Sequence, residues 1–148
     1  MSPNAVAVAE YEFRCRPEAV YQAWLSPALA RRWMAAALES MGLPGDMRTV
    51  EIDPRAGGGF RFEDQRGAVL ASHWGTYLVL EPPRTISFTW ITDPADEDDP
   101  SVVTVQIESL AAGCVATVTH PLMPEWRDYV EQTTRGWSSM LRAMAACV

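Results

Sequence analysis

The sequence predicts an α+β fold in which one β-strand is followed by two short helices, six consecutive antiparallel strands and a long terminal helix that covers the sheet. Three observations carry this prediction. Polarity alternates with a strand's two-residue period from Ala5 to Cys15. The period lengthens to that of a helix after Pro17 and again after Pro124. Between Met47 and His120 each strand-like run is separated from the next by a break of hairpin size.

In the first strand, Ala7, Ala9, Tyr11, Phe13 and Cys15 share one parity and Val6, Val8, Glu10, Glu12 and Arg14 the other, so one face is expected to be buried. Pro17 suits a helix start, and Val20, Tyr21, Trp24 and Leu25 fall at helical spacing. Ser26 and Pro27 interrupt that helix and open a second one carrying Leu29, Trp33 and Leu38. "SMGLPGD" is a loop. The six strands are read in "RTVEIDP", "GGFRFED", "LASHWGTYLVLEPP", "RTISFTWITD", "VVTVQIESL" and "CVATVTH". Pro82 and Pro83 cannot donate to a ladder and so end the third of these. From Pro124 a stripe of Trp126, Val130, Thr133, Trp137, Met140 or Leu141, and Met144 predicts a helix roughly 33 Å long at 1.5 Å per residue. Gly136 inside it suggests a close approach or a bend. A meander with one apolar face needs a cover, and this helix is the only element long enough to provide it.

At 148 residues the chain suits a single domain, 1–148, with one core, and the sequence shows no repeat, linker or low-complexity segment. A hydrophobic fraction of 48% with 21% charged residues is that of a globular protein. All twelve basic residues are arginine and the formal charge is −7. An acidic chain without a basic stripe repels phosphate backbones and anionic lipid surfaces, so neither nucleic acid nor membrane is an expected partner. Three cysteines without paired spacing, no apolar run of bilayer length and no leader-like pattern in "MSPNAVAVAEYEF" give the expectation of a soluble, reduced, cytoplasmic protein.

The triple glycine at 57–59 precedes alternating "FRFE", a strand, whereas a phosphate cradle needs glycines that lead into a helix. It reads as a bulge or bend entering a curved strand, with Phe60 and Phe62 inward and Arg61 and Glu63 outward. His120 shares the parity of Ala116 and Val118 and should face the inside, while the direction of His73 is open because both faces of its strand are apolar. A hydrogen-bonded structural role is the simpler reading for each histidine, and acid–base work the alternative. Cys114 and His120 share a face but stand about 20 Å apart along an extended strand, too far to hold one ion. "DPADEDDP" lacks the glycine and distal glutamate of a calcium loop and reads as a solvated hairpin. No metal site, cofactor or catalytic set is expected. Neither "WGTY" nor "GWSSM" is a nucleophile elbow, and Cys15, Cys114 and Cys147 read as small apolar residues. Glu63, Asp64 and Asp128 are the carboxylates able to approach a cavity mouth, and no spacing pairs two of them.

The blocks "RPEAVYQAWLSPALARRWM", "VEIDPRAGGGFRFE", "GTYLVLEPPRTISFTW", "TVTHPLMP" and "RGWSSMLRAM", in that order over nearly the whole chain, resemble the single-domain homologues of the activator of heat-shock-protein-90 ATPase. These belong to the START-like (SRPBCC) superfamily with the helix-grip fold. The resemblance implies a strongly curved antiparallel β-sheet wrapped around a long C-terminal helix, two short helices between strands 1 and 2, and an internal cavity that often takes an apolar ligand. It implies no common catalytic set.

Six tryptophans add aromatic mass to the predicted inner faces. The expected cavity lining is Phe60, Phe62, Tyr77, Phe88, Trp90, Val103, Val105, His120, Trp126, Val130, Thr133 and Trp137. The leading expectation is a binding module for a small apolar or aromatic molecule. The alternative is an enzyme like the cyclases and dehydratases among START-like proteins, using a cavity histidine. A third reading, a chaperone partner, comes from the family's name; the eukaryotic activator joins such a domain to a separate N-terminal one, for which 148 residues leave no room. A homodimer through exposed Trp or Met side chains is left open.

Overall fold

The computed structural model describes residues 5–148, so the reading of the N-terminus as free of a leader falls in part on residues 1–4, outside the described residues. Strand β1 (Ala5–Phe13) buries Ala5, Ala7, Ala9 and Phe13 on one face, as its alternation requires. Helices α1 (Pro17–Leu25) and α2 (Pro27–Ser40) meet at Ser26. That residue ends α1 and caps α2, its hydroxyl accepting from the Leu29 N–H at 3.3 Å. Six strands follow: β2 (Asp46–Ile52), β3 (Gly59–Arg66), β4 (Val69–Glu81), β5 (Thr85–Trp90), β6 (Ser101–Leu110) and β7 (Gly113–Leu122). They form a curved sheet in the order β1-β7-β6-β5-β4-β3-β2, antiparallel throughout.

The curvature has a local cause. The first part of β4 pairs with β3, with Phe62 opposite His73, and the end of β4 pairs with β5, with Tyr77 opposite Phe88. The register slips between Tyr77 and Val79, and Gly75 sits at the crease. A Cβ there would lie 2.0 Å from the Thr89 carbonyl oxygen, so only glycine lets the two strands come that close. At the start of β3, Gly57 turns the chain with φ +86° and its N–H bonds to the Tyr77 carbonyl at 2.8 Å. The glycine cluster is thus spent on strand entry.

The C-terminal segment departs from the sequence expectation at its beginning. Residues Pro124–Tyr129 form a 3₁₀ segment, and the α-helix α3 covers only Val130–Ala145, about 24 Å of axis for its 16 residues. In the 3₁₀ segment Trp126 and Tyr129 pack on each other, with ring centroids 5.4 Å apart, and stay half-exposed. They find no core that would draw the segment into an α-helix. Helix α3 lies over β1 and α2, burying Trp137, Leu141, Ala143 and Met144. Helix α1 packs over β6 and β7. Among the described residues, no helix is long and apolar enough to cross a membrane.

Candidate functional site

Large rings on β3, β4 and β5 keep α2 and α3 from settling fully onto that part of the sheet, and a pocket of about 300 Å³ remains between them. Its floor is Phe60, Phe62, Tyr77, Phe88 and Trp90. The rings touch one another: Phe60 stacks on Phe62 at 5.0 Å and meets Phe88 edge-on at 5.5 Å. Trp137 of α3 closes one side, 5.2 Å from Trp90. Trp24 and Trp33, in T-shaped contact at 5.4 Å, form the roof with Met34 and Leu38. Met41 and Leu43, from the loop after α2, and Met47 of β2 complete the apolar wall.

Polar groups gather at the far end of β3. Asp64 and Arg66 continue the parity of Phe60 and Phe62 and so point the same way. The Asp64 carboxylate, almost wholly buried, accepts from Arg66 Nε at 2.6 Å and Nη2 at 3.2 Å, a two-pronged ion pair. His73 stands beside them in the pocket wall, its ring stacked on Trp90 at 4.9 Å. Burial holds its pKa below the ordinary histidine value, the Arg66 charge lowers it further, and Asp64 opposes the shift.

The second histidine has a different role. Trp137 Nε1–H donates to His120 Nδ1 at 3.0 Å, and His120 Nε2 is 3.0 Å from Ser101 Oγ, which in turn donates to the Trp90 carbonyl at 3.2 Å. An indole N–H can only donate, so Nδ1 is the acceptor and the ring proton sits on Nε2, facing the serine. Each polar atom in this chain has a partner, and Ser101 Oγ has two. Protonating Nδ1 would set two donors against each other in a buried place, and burial already depresses the His120 pKa to about 4. His120 therefore fixes the rotamer of a pocket wall.

Six residues expected in the lining stand in the pocket wall: Phe60, Phe62, Tyr77, Phe88, Trp90 and Trp137. The structure does not bring the other six there. Val103 and Val105 are fully buried on β6, the strand that α1 covers. His120 sits behind Trp137. Trp126 is on the exposed face of the 3₁₀ segment, and Val130 and Thr133 flank the first turn of α3 outside the pocket. Of the carboxylates weighed, only Asp64 enters the wall; Glu63 accepts from Thr49 and Ser72 on the opposite face of the sheet, and Asp128 is exposed.

Sequence reasoning missed the part of the wall that α1 and α2 supply, every α3 residue of it except Trp137, and the Arg66 and His73 positions. The signal for Arg66 was present in the parity of "FRFEDQR"; the signal for the helices was not, because helical periodicity marks an inward face without saying whether that face has room. Gly136 is a related case. Nothing lies within 4 Å of where its Cβ would be, so it marks neither a close approach nor a crowded crossing. It stands in the pocket wall on the stripe of Gln132 and Met140. Cys114 is fully buried on the closed side, its thiol pushed up to about 11 chiefly by burial, with Cys15 adding to the shift; such a thiol stays protonated and unreactive.

A curved antiparallel sheet that grips a C-terminal helix, with two short helices after its first strand and an aromatic pocket beneath, defines a START-like domain of the ligand-binding class. The profile of one family, described as activator of Hsp90 ATPase homolog 1-like protein, matches residues 14–148, and the chain belongs to that family. Among solved structures, protein CV1439 from Chromobacterium violaceum is similar at 25% identity and a TM-score of 0.78, over 99% of this chain and 98% of that one. The AHSA1-like protein from Aeromonas hydrophila is similar at 25% identity and a TM-score of 0.73, over 97% and 91% of the two chains. A protein of unknown function from Staphylococcus aureus, SA2116, shares the fold at 18% identity and a TM-score of 0.78, over 99% and 94%. Among curated proteins no match was found.

Proposed function

We propose that this protein binds a small, predominantly apolar, aromatic molecule in the pocket between β3–β5 and helices α2 and α3. One observation carries the reading. Protein interiors normally close up to crystal-like density, yet here a space of about 300 Å³ persists against eight aromatic side chains, Trp24, Trp33, Phe60, Phe62, Tyr77, Phe88, Trp90 and Trp137. A core that served stability alone would gain by filling it. The test uses the wall's own tryptophans, Trp24, Trp33, Trp90 and Trp137. Titration with naphthalene and a panel of apolar metabolites should change their fluorescence and raise Tm, by the equivalent of about 2.7 kcal/mol at a hundredfold excess over Kd. Gly136→Leu, which places a side chain into the open space, should abolish both responses while keeping the fold. A panel that leaves fluorescence and Tm unmoved in the parent chain overturns the proposal.

Proton-transfer chemistry is the second reading, favoured by the position of His73 in the wall beside Asp64 and Arg66. Burial favours its neutral imidazole, the form a general base needs. NMR titration of His73 with and without a bound aromatic probe tests this; a pKa that ignores the probe counts against it.

A further inference from the structure

The polar atoms of the pocket divide into those already committed and those still free, and the division has a chemical direction. Trp33 Nε1–H donates to the Ala23 carbonyl at 2.9 Å and Trp137 Nε1–H to His120, so both indoles are satisfied within the protein. Both oxygens of Asp64 are engaged by Arg66. Trp24 differs: it is 94% buried by its 6% exposure, it lines the pocket, and its Nε1–H is the one buried side-chain polar atom among the described residues without a hydrogen-bond partner. A buried unpaired donor is costly, and native proteins keep few of them. Arg66 adds further donors, since its bonds to Asp64 use two of the guanidinium's five N–H groups. His73 and the Tyr77 hydroxyl each offer one donor and one acceptor. Gln132 adds two donors and one acceptor, so donors outnumber acceptors. Formal charge, by contrast, balances: among the described residues Asp64 and Arg66 are the only charged ones of the wall, and they cancel.

Resting on the apolar-pocket reading above, we infer that the guest is an uncharged aromatic compound carrying a hydrogen-bond-accepting carbonyl, its ring held among Phe60, Phe88 and Trp137 and its oxygen received by the free donor of Trp24 or of His73. A bare hydrocarbon leaves those donors unpaired. A carboxylate supplies acceptors, but its charge enters a low-dielectric space whose cation is already neutralised.

Three probes of one ring size separate these cases: naphthalene, 2-acetylnaphthalene and 2-naphthoate. Binding is followed by calorimetry and by tryptophan fluorescence. The ketone should bind about five- to tenfold more tightly than naphthalene, the effect of one well-made hydrogen bond, and more tightly than the naphthoate. Trp24→Phe keeps a ring in place and removes its N–H; His73→Phe keeps the stack on Trp90. One of the two variants should erase the ketone's advantage while naphthalene still binds. Equal affinity for ketone and hydrocarbon overturns the carbonyl inference and leaves the apolar pocket standing. Tightest binding of the naphthoate overturns the charge argument, and with it this inference. An advantage that survives in both variants places the acceptor elsewhere and also overturns it. Failure of all three probes defeats the pocket reading itself.

Discussion

The two halves of the sheet are built from side chains of different size, and the space above them differs accordingly. On β1, β6 and β7 the inner face is mostly small, with Ala5, Ala7, Ala9, Val103, Val105, Cys114, Ala116 and Val118 fully or nearly fully buried and Phe13, Ile107 and His120 the larger members. Short side chains let α1 and α3 descend close to the sheet there. On β3, β4 and β5 the inner face is Phe60, Phe62, Tyr77, Phe88 and Trp90. Flat rigid rings prop the same layer of helices away from the backbone and do not collapse into the gaps between them. Bulk on one half makes the pocket; its scarcity at the centre of the other makes the packed core. Large apolar residues, usually taken as the filling of an interior, here act as spacers.

Deletions on the two sides of one helix test this contrast most strongly. Leu141 is fully buried on the closed side of α3, and Leu141→Ala should cost about 3 kcal/mol through lost burial and a new cavity. Met140, its neighbour in sequence, faces space that is already empty, and Met140→Ala should cost about 1 kcal/mol. Chemical denaturation measures both, and equal losses would end the distinction.

Acid comes next. His120 has a folded-state pKa of about 4 against an ordinary 6.5, so the unfolded chain takes up a proton first as pH falls. Stability is whole above about pH 6.5 and declines at about 1.4 kcal/mol per pH unit below it. Between about pH 7.5 and pH 5 the loss should be about 2 kcal/mol, with His73, also lowered, adding in the same direction. His120→Gln should flatten most of that slope in urea titrations; an unchanged slope would mean that the imidazole is not locked neutral.

Trp137→Phe keeps the ring between the two halves but removes the N–H that His120 accepts. A loss of about 1.5 kcal/mol is expected in thermal unfolding, and no loss would mean that the hydrogen-bond chain does not hold the wall. The smallest effect has the opposite sign. Gly136→Ala adds a methyl that meets nothing and removes a helix-interior glycine, so Tm should rise by the equivalent of about 1 kcal/mol.

The strand framework was legible because strand alternation and turn residues are local signals: "EPPR" and "AAG" stand where the chain turns between β4 and β5 and between β6 and β7. The start of α3 was not legible, since spacing places Trp126 on the helical stripe while only the tertiary structure reveals that its side chain stays half-exposed. Parity likewise put Val103 and Val105 on the inner face correctly, yet which helix covers β6 is a matter of topology. His73 was undecidable from a strand apolar on both faces, and its register opposite Phe62 settles it. The partners of His120 come from β6 and α3, distant in sequence, and no local pattern announces them.

The crease at Gly75 gives the molecule a single-atom vulnerability. An alanine methyl there would have to occupy space held by the Thr89 carbonyl, so β4 and β5 would be forced apart and the sheet would unroll toward flatness. The aromatic floor would then spread beyond the reach of Trp137, and whatever the protein receives would lose its container without one of the residues that touch it having changed.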